Sequence, residues 1–114
     1  MADAQLNLVR GTLDLLVLKA LESGPMHGYA VSQWIGQVTG GVLLVEEGSL
    51  YPALHRLERK GWIAAEWGVS ATGRRARFYR LTEDGVHRLE TELDGWRRYA
   101  HAIERAIAAG GPAS

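Results

Sequence analysis

Seven cations fall within residues 55–80 (Arg56, Arg59, Lys60, Arg74, Arg75, Arg77 and Arg80), and only Glu58 and Glu66 oppose them. Residues 1–54 instead hold two Lys/Arg against five Asp/Glu, and residues 81–114 hold four against six. The zero net charge of the 114-residue chain therefore conceals a basic module between acidic flanks. Binding to a polyanion depends on such a local footprint more than on net charge, so the chemistry this cluster suits is phosphate recognition.

The remaining polar residues do not assemble a reaction centre. His27, His55, His87 and His101 are widely spaced, with no HxxxH pair and no cysteine beside them. Metal ligation is therefore not expected, and capping or surface roles are. His87 and His101, though on one helix, are about four turns apart, too far to chelate together. Glu46-Glu47 precedes a helix, where it complements the dipole rather than forming a catalytic dyad. No nucleophile motif, Gly-rich phosphate loop or ligand triplet is present, so no enzyme activity, catalytic residue or cofactor is expected. The lack of cysteine suits a reducing cytoplasm. No segment approaches the roughly 18 apolar residues of a membrane span, and no signal-peptide pattern opens the chain. The expectation is a soluble cytoplasmic protein.

The elements that must position the basic module follow from periodicity and breakers. Residues 1–9 read as a loose lead-in. Leu13, Leu16, Val17, Ala20 and Leu21 recur at helical spacing, and Leu15 and Leu18 make the other side apolar too, so one side can face a second subunit. Gly24-Pro25 stops this helix. His27 to Val38 reads as a second helix, with Ala30, Val31, Trp34, Ile35 and Val38 apolar, ended by Gly40-Gly41. Val42–Val45 is a short apolar run long enough for a strand. A third helix covers Ser49 to Lys60, with Pro52 in its first turn, Leu50, Leu54 and Leu57 inward, and Gly61 as C-cap. Trp62–Trp67 and Ala76–Leu81 form a hairpin around a Gly-containing turn that bears arginines. Thr82 caps a last helix over 83–109, preceding a short tail. Its apolar seam, Val86, Leu89, Leu93, Trp96, Ala100, Ile103 and Ile107, alternates steps of 3 and 4 in the manner of a coiled coil. About 27 residues span about 40 Å, more than so small a domain covers, so part of the seam should meet another chain.

Three helices, a hairpin and an arginine-bearing turn describe a mostly α winged helix-turn-helix with a long C-terminal dimerisation helix. The expected division is residues 1–81 for DNA binding and 82–114 for dimerisation. In such modules the third helix enters the major groove and the wing reaches phosphates or the minor groove. Ser49 and Tyr51 lie near the helix start, where backbone amides favour phosphate. Arg56 can reach phosphate or a guanine edge. Arg59 extends the same basic surface, and Arg74 and Arg75 can sit over the backbone or point into a narrow groove.

The run GSLYPALHRLERKGWI, followed by GRRARFYRLTEDG, closely resembles the PadR family of bacterial transcriptional regulators. LVRGTLDLLVLKALESGPMHGYAV looks like that family's first two helices, and the resemblance covers about residues 9–108. It implies a homodimeric repressor of the shorter subgroup, with double-stranded operator DNA as partner. Ser49, Tyr51, Pro52 and Arg56 would then fall in the recognition region and Arg74, Arg75 and Arg77 in the wing. The dimer would be formed by the first and last helices, through Leu13, Leu16, Leu89, Leu93, Trp96, Ala100 and Ile103. Some shorter members bind flat aromatic compounds between such aromatic side chains, which makes Trp96 a candidate ligand contact as well as a dimer contact, and a small aromatic effector a candidate ligand.

Alternatives stand at several positions. Arg80 can pair with Glu66 across the hairpin or remain free. Tyr29 and Trp34 suit packing better than ligand contact, and one of Trp62 and Trp67 should be structural. The rival function is a winged-helix module that binds protein partners and no DNA.

Overall fold

The computed structural model describes residues 11–111; the lead-in of residues 1–9 and the end of the tail, 112–114, lie outside the described residues. Helix α1 (Thr12–Ala20) tightens into a 3-10 turn at Leu21–Ser23. After Gly24-Pro25, strand β1 (Met26–His27) leads directly into α2 (Gly28–Val38). Helix α3 (Glu47–Arg59) is followed by β2 (Ile63–Val69), β3 (Arg75–Leu81) and α4 (Glu83–Ala109). The strands form one antiparallel sheet in the order β1-β3-β2. This is a winged helix with a long C-terminal helix, mostly α as expected.

The core lies where α1, α2, α3 and the base of the hairpin meet. Val17, Leu18 and Leu21 pack with Val31 and Ile35, with Leu50, Leu54 and Leu57, and with Ile63, Tyr79 and Leu89. Each buried aliphatic side chain contributes about 1.5–3 kcal/mol of transfer free energy, so the three inward leucines of α3 fix its rotation about its own axis. Leu13, Leu15 and Leu16 are only half-buried against this core. Burial raises the pKa of the Tyr79 hydroxyl; Arg77 opposes that shift, while Glu58 and Tyr51 reinforce it.

Two elements differ from expectation. Val42–Val45 forms no strand. Gly40 and Gly41 turn the chain at positive φ, and the Leu43 amide donates to Thr39 Oγ1 at 3.1 Å. The run then alternates, with Leu43 and Val45 inward and Val42 and Leu44 exposed, but no neighbouring strand pairs with it. The strand that does form, β1, consists of two residues paired with Tyr79 and Phe78. So short a strand exists only because β3 already presents an edge beside it.

Helix α3 also starts earlier than expected, with Glu46 at its N-cap. Pro52 is consequently the sixth residue of the helix, not part of its first turn, and the Gly48 carbonyl loses the bond that residue 52 would have donated. Gly48 is exposed, so water can serve that carbonyl instead. The other helix boundaries lie close to those expected. Thr82 Oγ1 accepts from the Gly85 amide at 3.0 Å as the α4 cap, and Gly61 turns at φ 78° after α3.

Candidate nucleic-acid interface

Three pieces of chain converge around the basic module: the outer side of α3, the tip of the β2–β3 hairpin and the start of α2. At 100° per residue, the inward set Leu50, Ala53, Leu54 and Leu57 leaves Gly48, Pro52, His55 and Arg59 on the opposite side. Those four are exposed. Ser49 and Arg56 flank them on the side of α1, and Tyr51 and Glu58 on the side of the hairpin. His55 was not among the expected contact residues, yet it sits between Pro52 and Arg59 at steps of 3 and 4; that spacing was the available signal.

Each flank is braced by an ion pair. Arg56 Nη2 lies 2.5 Å from Asp14 Oδ1 on α1, and Arg77 Nη2 lies 2.9 Å from Glu58 Oε2, joining β3 to α3. Asp14 is the more buried member of its pair, with its side chain 18% exposed against 41% for Arg56. Two of the arginines expected to contact DNA therefore already have carboxylate partners within the fold. Arg59, Arg74 and Arg75 are the exposed ones. Of the two alternatives at Arg80, no ion pair with Glu66 forms among the described residues, although the two are diagonal neighbours on one face of the hairpin, Arg80 opposite Ala64 and Glu66 opposite Phe78.

Tyr51 bridges α3 to α2. A Cβ built on Gly28 would lie 2.8 Å from its hydroxyl and 2.9 Å from Cε1, so only glycine admits the ring there. With 37% of its surface still exposed, Tyr51 packs one part of the ring on the start of α2 and leaves the rest facing outward. His27 caps α2 by accepting from the Ala30 amide at Nδ1, 3.2 Å away, and meets Phe78 edge-on at 5.4 Å. Tyr29 is exposed, so of the core or interface packing expected of it the core is excluded, and its hydroxyl accepts from Gln33 Nε2 at 2.8 Å. Trp34 does pack against the core.

The hairpin tip is held by its own hydrogen bonds. The Ser70 amide donates to the Arg74 carbonyl at 2.8 Å, and the Arg74 amide donates to Ser70 Oγ at 3.3 Å. Gly73 supplies the φ of 82° that closes the turn. Between this tip and α2 runs a cleft of about 710 Å³, lined by His27, Tyr29, Gln33, Ser70, Arg74 and Arg75 among others. Its polar donors and two guanidiniums suit a phosphate-bearing chain.

A closed joint connects this region to α4. Thr82 Oγ1 donates to the Gly61 carbonyl at 2.6 Å, and the Thr82 amide to the Trp62 carbonyl at 3.1 Å. A Cβ on Gly85 would fall 1.9 Å from that same Trp62 oxygen, so the first turn of α4 is seated directly on the turn that ends α3. Lys60 and Arg88 both lie over the half-buried Trp62 ring, at 4.9 and 4.5 Å. Further along α4 the seam opens. Leu89, expected as a dimer contact, is instead buried in the core of its own chain, Leu93 is half-buried, and Trp96, Ile103 and Ile107 are exposed, Ile107 by 69%. Trp96 and Tyr99, with ring centres 6.0 Å apart, line a cleft of about 510 Å³ between α4 and the start of α1. Among the described residues no cluster of three His, Asp or Glu could hold a metal, and no helix is long and apolar enough to cross a membrane.

The helix-turn-helix, wing and terminal helix define a winged-helix transcription regulator. Residues 17–91 match the model of the transcriptional regulator PadR-like family, and the chain belongs to that family. It is similar to a transcriptional regulator from Clostridium thermocellum, with 28% identity and a TM-score of 0.78, covering 87% of this chain and 96% of that one. A PadR family transcriptional regulator from Eggerthella lenta gives 28% identity and a TM-score of 0.78 over 96% of this chain and 93% of its own. An uncharacterized protein X from Lysinibacillus sphaericus is 30% identical over 98 residues, which is 86% of this chain and 90% of that protein.

Proposed function

We propose that this regulator is a homodimeric, ligand-responsive repressor, with residues 1–81 serving DNA binding and 82–114 dimerisation. The observation that carries the reading is the disposition of exposed cations. Arg59 on α3 and Arg74 and Arg75 on the wing are displayed, while Arg56 and Arg77 are committed to carboxylates. Ser49, Tyr51, Pro52 and Arg59 then meet the major groove and Arg74 and Arg75 the adjoining backbone. Arg56 and Arg77 take part by orienting α3 and the wing while keeping their outer atoms near the duplex.

The uncovered part of α4 supports the homodimer. A second copy laid along Leu93, Trp96, Ala100 and Ile103, with Leu13 and Leu16 of α1 at the margin, would remove apolar surface from water and pair two α3 helices on half-sites about 34–36 Å apart. The cleft beside Trp96 and Tyr99 is where a flat aromatic effector would bind. Such a ligand switches the protein only insofar as it prefers one spacing of the two α3 helices.

The test is nuclease protection of the DNA upstream of the protein's own and neighbouring genes, followed by titration of the protected duplex. Replacing Arg74 and Arg75 by Ala should weaken binding on all sequences and flatten the plot of log affinity against log salt by about 0.9 for each phosphate no longer neutralised. Tyr51→Ala should chiefly reduce preference for the operator over random DNA. A protein that protects nothing and binds without salt dependence would instead fit the protein-interaction reading.

A further inference from the structure

One face of the wing carries an exposed indole that the phosphate contacts above do not use. In the hairpin register, Ile63, Ala65, Trp67 and Val69 of β2 lie opposite Leu81, Tyr79, Arg77 and Arg75 of β3, and opposed residues share a face. At its base this face is core, because Ile63 and Tyr79 are buried. In its middle it meets α3, through Arg77 and Glu58. Beyond Glu58 no other helix or strand among the described residues covers it, and Trp67 is 61% and Val69 69% exposed. The Arg75 guanidinium carbon stands 4.7 Å from the centre of the Trp67 ring.

The chemistry of this corner selects among partners. It is apolar in the middle and cationic at the rim, with Arg75 over the indole and Arg74 in the adjoining turn. Glu66, the acid of β2, lies on the other face, opposite Phe78, and Glu58 is occupied by Arg77. An apolar ring bordered by guanidiniums fits a surface of apolar sugars bordered by phosphates. The patch also continues the side of the wing turned toward α3, so it faces whatever α3 engages.

We propose that Trp67, supported by Val69 and Arg75, is a DNA contact in its own right. The indole packs on the deoxyribose edge of the strand beside the groove that α3 enters, and the guanidinium stacked over it reaches a flanking phosphate. This inference rests on the DNA-binding reading above and adds a contact that carries no charge.

That absence of charge makes it measurable. Wild type, Trp67→Ala, Trp67→Phe and Arg74→Ala are titrated against a duplex that the wild type selects from a random pool, from about 50 to about 200 mM salt. Trp67→Ala should weaken binding roughly tenfold or more at every salt concentration, leaving the salt slope unchanged because no cation is removed. Trp67→Phe should recover most of the affinity, whereas Arg74→Ala should lower the slope. The part of the emission that Trp67→Phe removes from the wild-type spectrum should also change when duplex is added. Unaltered affinity of Trp67→Ala, a slope lowered as in Arg74→Ala, or emission from Trp67 indifferent to duplex would each overturn the inference while leaving the DNA reading in place. If the wild type enriches no duplex at all, both fall together.

Discussion

The joint where α4 begins and the distal part of the same helix obey opposite rules. The joint is held by three contacts: Thr82 bonds to Gly61 and Trp62, Gly85 abuts the Trp62 carbonyl, and Leu89 enters the core. From Trp96 onward the large apolar side chains of the seam, Trp96, Ile103 and Ile107, are exposed among the described residues. The wing tip resembles the distal helix in this respect, with Trp67, Val69, Arg74 and Arg75 all exposed. Substitutions in the closed region should therefore cost folding free energy, and those in the open regions should cost association.

The largest effect should come from Gly85→Ala. Its methyl group would overlap a backbone oxygen that cannot move without disturbing the end of α3, so destabilisation of about 3 kcal/mol is expected in urea unfolding. A loss under about 0.5 kcal/mol would mean that the joint is looser than described. Ile103→Asp makes the converse case. Monomer folding should stay within about 0.5 kcal/mol of wild type, while sedimentation shifts from dimer to monomer. Losing the paired attachment then lowers operator affinity by about 10²-fold; an intact dimer would break the contrast between the two parts of α4.

A smaller effect is expected at the braces of α3. Asp14→Ala and Arg56→Ala should each cost about 1 kcal/mol, and a double-mutant cycle should show coupling of roughly 0.5 kcal/mol, as befits a partly exposed pair. Smallest is the alkaline limb set by Tyr79. Its folded-state pKa is raised chiefly by burial, so the unfolded chain loses that proton first. Stability from this group is complete below the ordinary tyrosine range and is lost as pH rises through it. Tyr79→Phe should remove that limb in pH-dependent unfolding.

Much of this architecture is legible in the sequence because it rests on local signals. The 3-4 rhythm from Val86 to Ile107, with Thr82 before it, fixes α4 without reference to the rest of the chain. What depends on distant partners is not legible. Strand β1 needs Phe78 and Tyr79 beside it, and Val42–Val45 stays unpaired because no neighbouring strand offers itself. The partner of Arg56 is 42 residues away on α1, so composition alone cannot tell a braced arginine from a free one. His55 is the intermediate case, visible as soon as the outer side of α3 is drawn as a stripe through Pro52 and Arg59.

The seating of Gly85 on the Trp62 carbonyl has a geometric consequence. A movement of α4 transmitted through this seat would reach α3 at its C-terminal end, and thirteen residues of helix make an arm of about 20 Å from there to the N-terminal end. A tilt of about 10° about that C-terminal end displaces the far end by about 3.4 Å, which is the rise of one base along a DNA strand. On the DNA-binding reading proposed above, a slight turn of α4 carried through this seat would shift the tip of α3 by one rung of the duplex.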